Sequence, residues 1–251
     1  MQSHDELDMN HMRDLAAAAS RRGIAMYSDF LNLSQQSQVL SLPLKGLGVS
    51  LSMEGGYEQA ERKLAVFVPA DVRSVPEVPI TCMRILPKAQ KYAEDLTHRD
   101  ILGTVLGLGL DRPVIGDILA GDKCWYLFCL NRMADYIQDN LIRIRHTSVQ
   151  AEPVIDPGNL PSPHLDEKRG TLASVRLDSL IRLAFNESRT SLSPLITEGR
   201  VFVNGREISS PGYEPKPGDI ISVRGKGRFR FEGVQGSSKK NRLYAVISLY
   251  V

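Results

Sequence analysis

The sequence predicts an α+β protein of three segments that ends in a small basic module. Its 251 residues exceed the common size of a single domain, about 100 to 150 residues. Helix-like and strand-like hydrophobic patterns alternate along the chain. Positive charge is concentrated at one end, because residues 171–251 hold 13 lysines and arginines against 7 acidic residues, whereas residues 1–170 hold 18 against 22. This distribution indicates an anionic partner for the last third of the chain.

The first segment, residues 1–76, has the pattern of a mixed helical and strand-containing domain. Helical spacing of apolar residues predicts helices over Met9–Ala19 and Phe30–Leu42. Gly55-Gly56-Tyr57 indicates a turn, and Leu64–Val68 is typical of a strand. The two glycines are explained by that turn and need no ligand.

The second segment, residues 77–154, follows the order strand, helix, strand, strand, helix, strand. The six predicted elements are Ile80–Leu86, Arg99–Leu106, Val114–Ala120, Lys123–Leu130, Met133–Leu141 and Ser148–Val154. This is the split βαβ order of ferredoxin-like and RNA-recognition domains. Trp125, Tyr126 and Phe128 lie on the third strand, where RNA-recognition domains place stacking aromatics. Alternation divides them between two faces, so core packing is expected and base stacking is the alternative.

Residues 155–170 are rich in proline and predict a linker with extended character. Pro157, Pro161 and Pro163 fall within it, together with Gly158. The last segment, residues 171–251, is therefore expected to be a domain on a semi-rigid tether.

The sequence does not indicate a metal site, a cofactor, a catalytic residue or a membrane span, and we expect none of them. Cys82, Cys124 and Cys129 form no CxxC pair, and the last two lie in an apolar run typical of core cysteines. Gly103, Gly107 and Gly109 form a GxxxGxG pattern, and a helix end at Gly107 or Gly109 explains this pattern better than a nucleotide loop. The acidic N-terminus lacks the pattern of a secretory signal. We expect a cytoplasmic protein, or a plastid stroma protein if a leader has been removed.

The C-terminal module is predicted to place two helices on a small sheet. Arg176–Phe185 carries apolar residues at helical spacing. A second, shorter helix is expected over Ser193–Gly199, with the serine as its cap and Pro194 in its first turn. Asn204-Gly205 is a strong signal for a β-hairpin turn.

A basic loop is predicted in the second half of the module, at Gly225-Lys226-Gly227-Arg228. Its glycines let the backbone approach a phosphate closely. Further cations surround the final apolar strand, namely Arg230, Lys239, Lys240 and Arg242. A single arginine is more often a solvated surface residue, but an excess confined to one module predicts a cradle for a folded RNA backbone.

Several motifs of the module closely resemble the S-four RNA-binding domain, named after small-subunit ribosomal protein four. They are Arg176-Leu177-Asp178, Ser188-Arg189, Leu195-Ile196, Gly199-Arg200-Val201, Val203-Asn204-Gly205 and Pro217-Gly218-Asp219. Upstream motifs are similar to those of YlmH-type bacterial and plastid proteins. These are Gly55-Gly56-Tyr57, Ala60-Glu61-Arg62, His98-Arg99-Asp100-Ile101-Leu102-Gly103 and Gly116-Asp117-Ile118. The resemblance covers nearly the full chain. Pro194 departs from it, since many S-four domains continue a polar helix there.

The resemblance implies RNA binding without catalysis, with ribosomal RNA or tRNA on the large ribosomal subunit as the target. Relatives are linked to rescue of stalled translation and to a cell-division gene neighbourhood, and the plant and cyanobacterial branch is associated by name with photosystem II. Arg176, Ser188 and Arg189 match the family's helix-end RNA surface, and Asn204 matches its hairpin turn. With the cations of the basic loops, the expected RNA-binding set is Arg176, Ser188, Arg189, Arg200, Asn204, Lys226 and Arg228.

Two other functions are compatible with the sequence. The first is an RNA-modifying enzyme, a pseudouridine synthase or methyltransferase, because Arg176-Leu177-Asp178 resembles part of a synthase motif. About 170 residues upstream is short for such a catalytic domain, and no methyl-donor loop follows a strand. The second is an adaptor in which the acidic first two segments bind a protein partner while the module serves as an anchor.

Overall fold

The chain forms two compact units, Met1–Ser162 and Pro163–Val251. The computed structural model describes residues 7–72, 77–155, 160–161, 165–238 and 242–250. In this part of the chain the strands form three sheets, of three, five and six strands. The protein is therefore α+β, and its three sheets correspond to the three predicted segments.

The N-terminal segment is a three-stranded sheet with two helices. Helix α1 (Met9–Arg22) begins where the Asp8 side chain accepts two backbone N–H hydrogen bonds, and ends at Gly23, whose φ of 65° suits glycine. The other elements are β1 (Met26–Tyr27), α2 (Leu33–Leu40), β2 (Val49–Glu54) and β3 (Leu64–Pro69), in the strand order β1-β3-β2. Both predicted helices are present. The second is shorter than the predicted Phe30–Leu42 because Asn32 caps it with a capping box.

The middle segment contains the predicted six elements in the predicted order. They are β4 (Ile80–Pro87), α3 (His98–Gly107), β5 (Ile115–Ala120), β6 (Trp125–Leu130), α4 (Asn131–Asn140) and β8 (Thr147–Pro153), with a short β7 (Arg143–Ile144) before the last. All neighbouring strands are antiparallel, in the order β5-β6-β4-β8-β7. The four main strands thus have the arrangement expected of a split βαβ domain.

The three aromatic residues of β6 have different environments. Phe128 is buried, and its ring stacks on Tyr57 of the N-terminal segment with the centroids 4.9 Å apart. Trp125 and Tyr126 are half-buried and pack against the core of the same unit. Core packing, the expected role, is thus observed, and the coverage of Phe128 leaves no room for a base on its ring.

The C-terminal unit is a six-stranded sheet with two helices on one face. Its elements are β9 (Leu165–Leu172), α5 (Leu177–Phe185), α6 (Arg189–Thr197), β10 (Val201–Val203), β11 (Arg206–Glu207), β12 (Ile220–Val223), β13 (Gly227–Ser237) and β14 (Leu243–Tyr250). The strand order is β11-β10-β12-β13-β14-β9. Alternate residues of the strands join Leu177, Leu180 and Ile181 of α5 in one core.

The predicted linker, residues 155–170, is wrong over its second half. Strand β9 occupies Leu165–Leu172 and pairs along its length with β14. The Lys168 ammonium also donates a hydrogen bond of 3.1 Å to the carbonyl of Ala184 in α5. Residues 156–159 and 162–164 lie outside the described residues. A fragment carrying this unit should therefore begin near Pro163, since a start at Thr171 would remove most of an edge strand.

The second helix of the module starts earlier than predicted. Ser188, not Ser193, is its N-cap, because the Ser188 hydroxyl accepts a hydrogen bond of 3.2 Å from the backbone N–H of Ser191. Pro194 consequently lies inside α6 rather than in its first turn. The proline removes one backbone donor, and the helix ends soon after it, at Thr197.

Candidate nucleic-acid interface

The turn between β12 and β13 brings together three of the five cations in the expected RNA-binding set. Strand β13 begins at Gly227, so the predicted basic loop is a tight turn from Arg224 to Lys226 that continues into a strand. Gly225 has a φ of 79°, a backbone conformation that glycine adopts without strain. The turn therefore places Lys226 at its tip and Arg228 on the sheet.

The turn is attached to the loop between the two helices. Lys226 forms an ion pair with the Glu187 carboxylate, which also accepts a hydrogen bond of 2.9 Å from the Ser191 hydroxyl. The hydrogen bond from Lys226, followed by that from Ser191, lowers the pKa of Glu187. Because Glu187 immediately precedes Ser188, Lys226 lies beside the start of α6.

Three arginines complete this group. The Arg200 guanidinium donates a hydrogen bond of 3.3 Å to the carbonyl of Arg224, across adjacent strands. The Arg224 guanidinium lies 4.8 Å from the centre of the Phe202 ring, and that of Arg228 lies 5.5 Å from the centre of the Tyr250 ring. We call Arg200, Arg224, Lys226 and Arg228 the turn cluster. They form an electropositive end of the unit that suits a phosphate backbone.

Two of the predicted residues define the start of α6, next to the turn cluster. Ser188 is used as the helix cap, so its hydroxyl already accepts a backbone hydrogen bond. Arg189 is the first residue of α6, and its side chain lies outside the described residues. A helix N-terminus carries partial positive charge, which adds to that of Lys226 nearby.

Arg176 and Asn204 lie apart from the turn cluster. Arg176 precedes the first residue of α5, and its Nε is 3.4 Å from Oδ1 of Asp178. Asn204 has a φ of 48° in the hairpin turn. Its side chain donates a hydrogen bond of 2.8 Å to the Asp219 carboxylate and accepts one of 2.9 Å from the backbone N–H of Ile220. The Asn204 side chain thus has a structural role in joining the hairpin to β12. The structure brings together Ser188, Arg200, Lys226 and Arg228, and leaves these two outside.

Sequence reasoning missed Arg224 as a member of the cluster. The residue follows β12, with its backbone N–H bonded at 2.9 Å to the carbonyl of Arg200. Alternation from the buried Val223 predicts that Arg224 points to the face shared with Phe202. The pairing of β10 with β12 is therefore needed to assign Arg224 to the cluster. The sequence of either strand alone does not indicate it.

A second group of charged residues lies in the first unit, around Asp117. The Asp117 carboxylate accepts hydrogen bonds from the Tyr57 hydroxyl (2.8 Å) and from the backbone N–H groups of Glu61 (2.7 Å) and Arg62 (3.1 Å). Arg62 in turn donates to the carbonyls of Ile115 and Phe30, at 3.0 and 2.9 Å. These bonds join the upstream motifs, which are far apart in sequence, into one network.

Arg112 and His98 border this network. The Arg112 guanidinium donates hydrogen bonds to the carbonyls of Ile115 (2.6 Å) and Gly116 (3.1 Å), and burial lowers its pKa. Burial, and then the neighbouring Arg112 charge, lower the pKa of His98. We call Tyr57, Glu61, Arg62, Arg112 and Asp117 the Asp117 cluster. Each of its arginines donates to two or more backbone carbonyls from a part-buried position, whereas Arg200 of the turn cluster makes a single exposed bond of this kind. This difference assigns Arg62 and Arg112 to the fold.

The cysteines are core residues, as the sequence indicated. All three are buried and unpaired by disulfides. Burial raises the pKa of Cys82 and of Cys129 to about 12, which keeps both thiols protonated and unreactive at neutral pH. In the part of the chain that the structure describes, no three His, Cys, Asp or Glu side chains are grouped so as to hold a metal ion. The described helices include none long and apolar enough to cross a membrane.

Comparison with known proteins gives two domain matches. Residues 80–155 match the family described as "Putative RNA-binding domain in YlmH", and residues 175–221 match the S4 domain. These ranges correspond to the middle sheet with its helices and to the segment from the start of α5 to β12.

Three individual proteins are similar to different shares of the chain. The Ribosome-associated protein quality control protein P2 of Bacillus subtilis is 29% identical over 219 residues, covering 86% of this chain and 83% of the relative. Small ribosomal subunit protein uS4 of Thermosipho africanus is 44% identical over 54 residues, 21% of this chain and 26% of the relative. The solved structure of the cell division protein YlmH from Streptococcus pneumoniae has a TM-score of 0.49 and 22% identity, and covers 63% of this chain and 99% of that one.

The two matched domains, together with the basic C-terminal unit, define the class: the chain is an RNA-binding protein with a C-terminal S4 domain. Its middle segment matches the RNA-binding domain of YlmH, and most of the chain is similar to the B. subtilis relative.

Proposed function

We propose that this protein is a non-catalytic RNA-binding protein that contacts ribosomal RNA or tRNA on the large ribosomal subunit through its C-terminal unit. The turn cluster is the observation that carries the proposal. Four cations of Arg200–Arg228 meet at one end of an S4-type unit, where they can neutralise adjacent phosphates. The name of the B. subtilis relative supports a role in ribosome-associated quality control, because that relative aligns with most of this chain.

Within this proposal the residues have different roles. Arg176, Arg189, Arg200, Lys226 and Arg228 contact phosphates, and Arg224 joins them. Ser188 and Asn204 remain in the proposed set through the backbone that they shape. Ser188 caps the helix that begins at Arg189, and Asn204 fixes the hairpin turn. Backbone groups at Ser188 and Asn204 are proposed to contact phosphates directly.

The first two segments have a supporting role in this proposal. The middle segment is a ferredoxin-like domain that adds RNA contacts, and the acidic N-terminal two-thirds provide a surface for a protein partner. The separate domains are residues 1–76, 77–154 and 171–251, with β9 added to the last. The protein acts where ribosomes translate, in the cytoplasm or, for a plastid form, in the stroma.

The proposal contains no catalytic step. Asp178, the residue of the synthase-like motif, lies in the first turn of α5 within 3.4 Å of Arg176, a geometry that suits helix-start structure. Incubation of the protein with bound tRNA or ribosomal RNA, followed by mass analysis of the nucleosides, should detect no modified base. A modification that depends on Asp178 would instead make the protein an enzyme.

The direct test is the loss of RNA affinity when two helix-start arginines are removed. Replacing Arg176 and Arg189 together by alanine should weaken binding to large ribosomal subunits or tRNA at least tenfold, about 1.4 kcal/mol, because paired guanidinium–phosphate hydrogen bonds are lost. The melting temperature should change little, since exposed substitutions typically cost under about 0.5 kcal/mol.

A charge-matched control removes two arginines from the first unit. Arg21→Ala with Arg22→Ala changes the net charge equally in the last turn of α1, and both residues are exposed there. This control should retain the affinity of the wild type. Unchanged affinity in the Arg176 and Arg189 variant would remove both from the site, and a large fall in its melting temperature would assign them to the fold.

A further inference from the structure

The C-terminal sheet has a second face, which α5 and α6 do not cover. Val201 and Val203 of β10 and Val223 of β12 are buried against the helices. Side chains alternate along a strand, so the residues next to these valines in β10 and β12 point to the opposite face. The sheet register places Phe202 opposite Ser222, and Ser222 opposite Arg228. On the same side, Val246 and Ser248 of β14 are buried, whereas Phe202, Ser222, Arg228 and Tyr250 are partly exposed. We call this side of the sheet the open face.

Across the open face two aromatic rings flank two guanidinium groups. Arg224 lies over the ring of Phe202, at 4.8 Å, and Arg228 over the ring of Tyr250, at 5.5 Å. Phe202, Arg228 and Tyr250 belong to β10, β13 and β14, so the two rings are separated by three strand spacings, about 14 Å. This length fits a few nucleotides, whose bases rise about 3.4 Å each when stacked in a helix.

We propose that the open face binds unpaired nucleotides, with bases stacked on Phe202 and Tyr250 and phosphates held by Arg224 and Arg228. The inference rests on the proposed function and extends the turn cluster, which supplies Arg224 and Arg228, to the two rings of the open face. Bases stack on aromatic rings and on planar guanidinium groups in proteins that bind single strands, whatever the sequence of the strand. The rings are already held in place by their arginines, so binding orders few additional side chains.

Charge and chemistry favour single-stranded RNA over the alternatives. The open face carries Arg169 of β9 and four arginines between residues 200 and 230, and the acidic residues of this face are Glu167, Glu207 and Glu232. A duplex keeps its bases stacked inside, so it would use the arginines but not the rings. A protein partner would have to present acidic side chains to the arginines and an apolar surface to the rings. No residue of this face calls for such a partner.

The experiment measures the affinity of the full chain for a labelled ten-nucleotide oligouridylate by fluorescence anisotropy, beside a twelve-base-pair RNA duplex. Phe202→Leu with Tyr250→Leu keeps apolar side chains but removes both rings. The dissociation constant for oligouridylate should rise about tenfold, and that for the duplex less than twofold. Tyr244→Leu is the matched control, because Tyr244 lies on the same face of β14 about 20 Å away along the strand. It should change neither constant.

A second variant keeps the proposal testable if the double leucine variant does not fold. Arg228→Lys keeps the charge but removes the planar group, so oligouridylate affinity should fall about threefold with an unchanged melting temperature. Equal oligouridylate affinity of the wild type and these variants would overturn the proposal, and so would equal losses for duplex and oligouridylate. A pull-down can also be repeated after ribonuclease treatment. If a protein partner is still captured by the wild type but is lost only in the ring variant, the face binds a protein instead. Wild-type protein that binds tRNA but not oligouridylate would refute this inference alone, whereas binding to neither would refute the proposed function.

Discussion

The arginines of the Asp117 cluster and those of the turn cluster differ in what their guanidinium groups contact. Arg62 and Arg112 donate to backbone carbonyls of loops and strands within the first unit. Arg224 and Arg228 lie over aromatic rings on the surface of the second unit. An arginine bonded to several part-buried carbonyls satisfies backbone acceptors and stabilises the fold, while a planar guanidinium stacked on an aromatic ring is an arrangement that also suits phosphate recognition. The bonding partners of the guanidinium groups therefore distinguish the two clusters, which charge alone does not.

The largest expected effect breaks the Asp117 cluster. Asp117→Ala leaves the Tyr57 hydroxyl and two backbone N–H groups without their acceptor, and should lower the free energy of unfolding of the first unit by about 3 kcal/mol or more. Urea denaturation followed by fluorescence of Trp125, the one tryptophan of the chain, measures this unit directly. The exposed Asp139→Ala is the control and should stay within about 0.5 kcal/mol. A fall in RNA affinity without loss of stability would contradict the structural role.

A smaller effect tests how closely the two segments of the first unit pack. A Cβ at Gly116 would lie 2.8 Å from the Phe30 ring and 2.9 Å from Cβ of Phe128, so Gly116→Ala should destabilise the unit by about 1 to 3 kcal/mol. Gly103, inside α3, has open space where its Cβ would be. Gly103→Ala should therefore stabilise the unit by up to about 1 kcal/mol. The same urea titration separates the two, and equal effects of the two alanines would show that the packing described at Gly116 is wrong.

The smallest effect concerns His98, beside the Asp117 cluster. Its folded-state pKa lies below the unfolded value of about 6.5, so below that pH the unfolded chain binds a proton that the folded chain does not. Stability should therefore decrease as the pH falls from about 7 through 6.5 toward the lowered pKa. His98→Gln should remove this part of the pH dependence, which denaturation midpoints at pH 7.5 and 5.5 can detect. An identical pH dependence in the variant would mean that His98 does not titrate differently in the folded state.

The sequence predicted the middle domain well and the edges of the C-terminal unit poorly, for a physical reason. Strands β4 and β6 bury apolar residues, which leaves a pattern in the sequence. Strand β9 is Leu-Asp-Glu-Lys-Arg-Gly-Thr-Leu, a polar edge strand held by backbone pairing to β14, and charged side chains are usual on edges. Nearby prolines then made the segment resemble a linker. Pairing between distant strands leaves no local signal.

The candidate site was predicted in part for the same reason. Arg200, Lys226 and Arg228 were expected from local charge and turn signals, and the structure brings them together. Arg224 could be assigned only after β10 was seen beside β12, because its contact with Phe202 crosses strands. The functional roles of Arg176 and Arg189 remain predictions, because the structure establishes neighbours and not RNA contacts.

The salt dependence of RNA affinity tests the central claim most directly, namely that the turn cluster neutralises phosphates. The measurement compares the wild type with Arg200→Gln plus Lys226→Gln, by filter binding to tRNA between 50 and 300 mM salt, about the range where counterion release is easily resolved. Each lost phosphate contact should lower the slope of log affinity against log salt by about 0.7 to 0.9. The variant should therefore have a slope smaller by about 1.4 to 1.8, while the Arg21 and Arg22 control keeps the wild-type slope. A wild-type slope in the Arg200 and Lys226 variant would contradict the account.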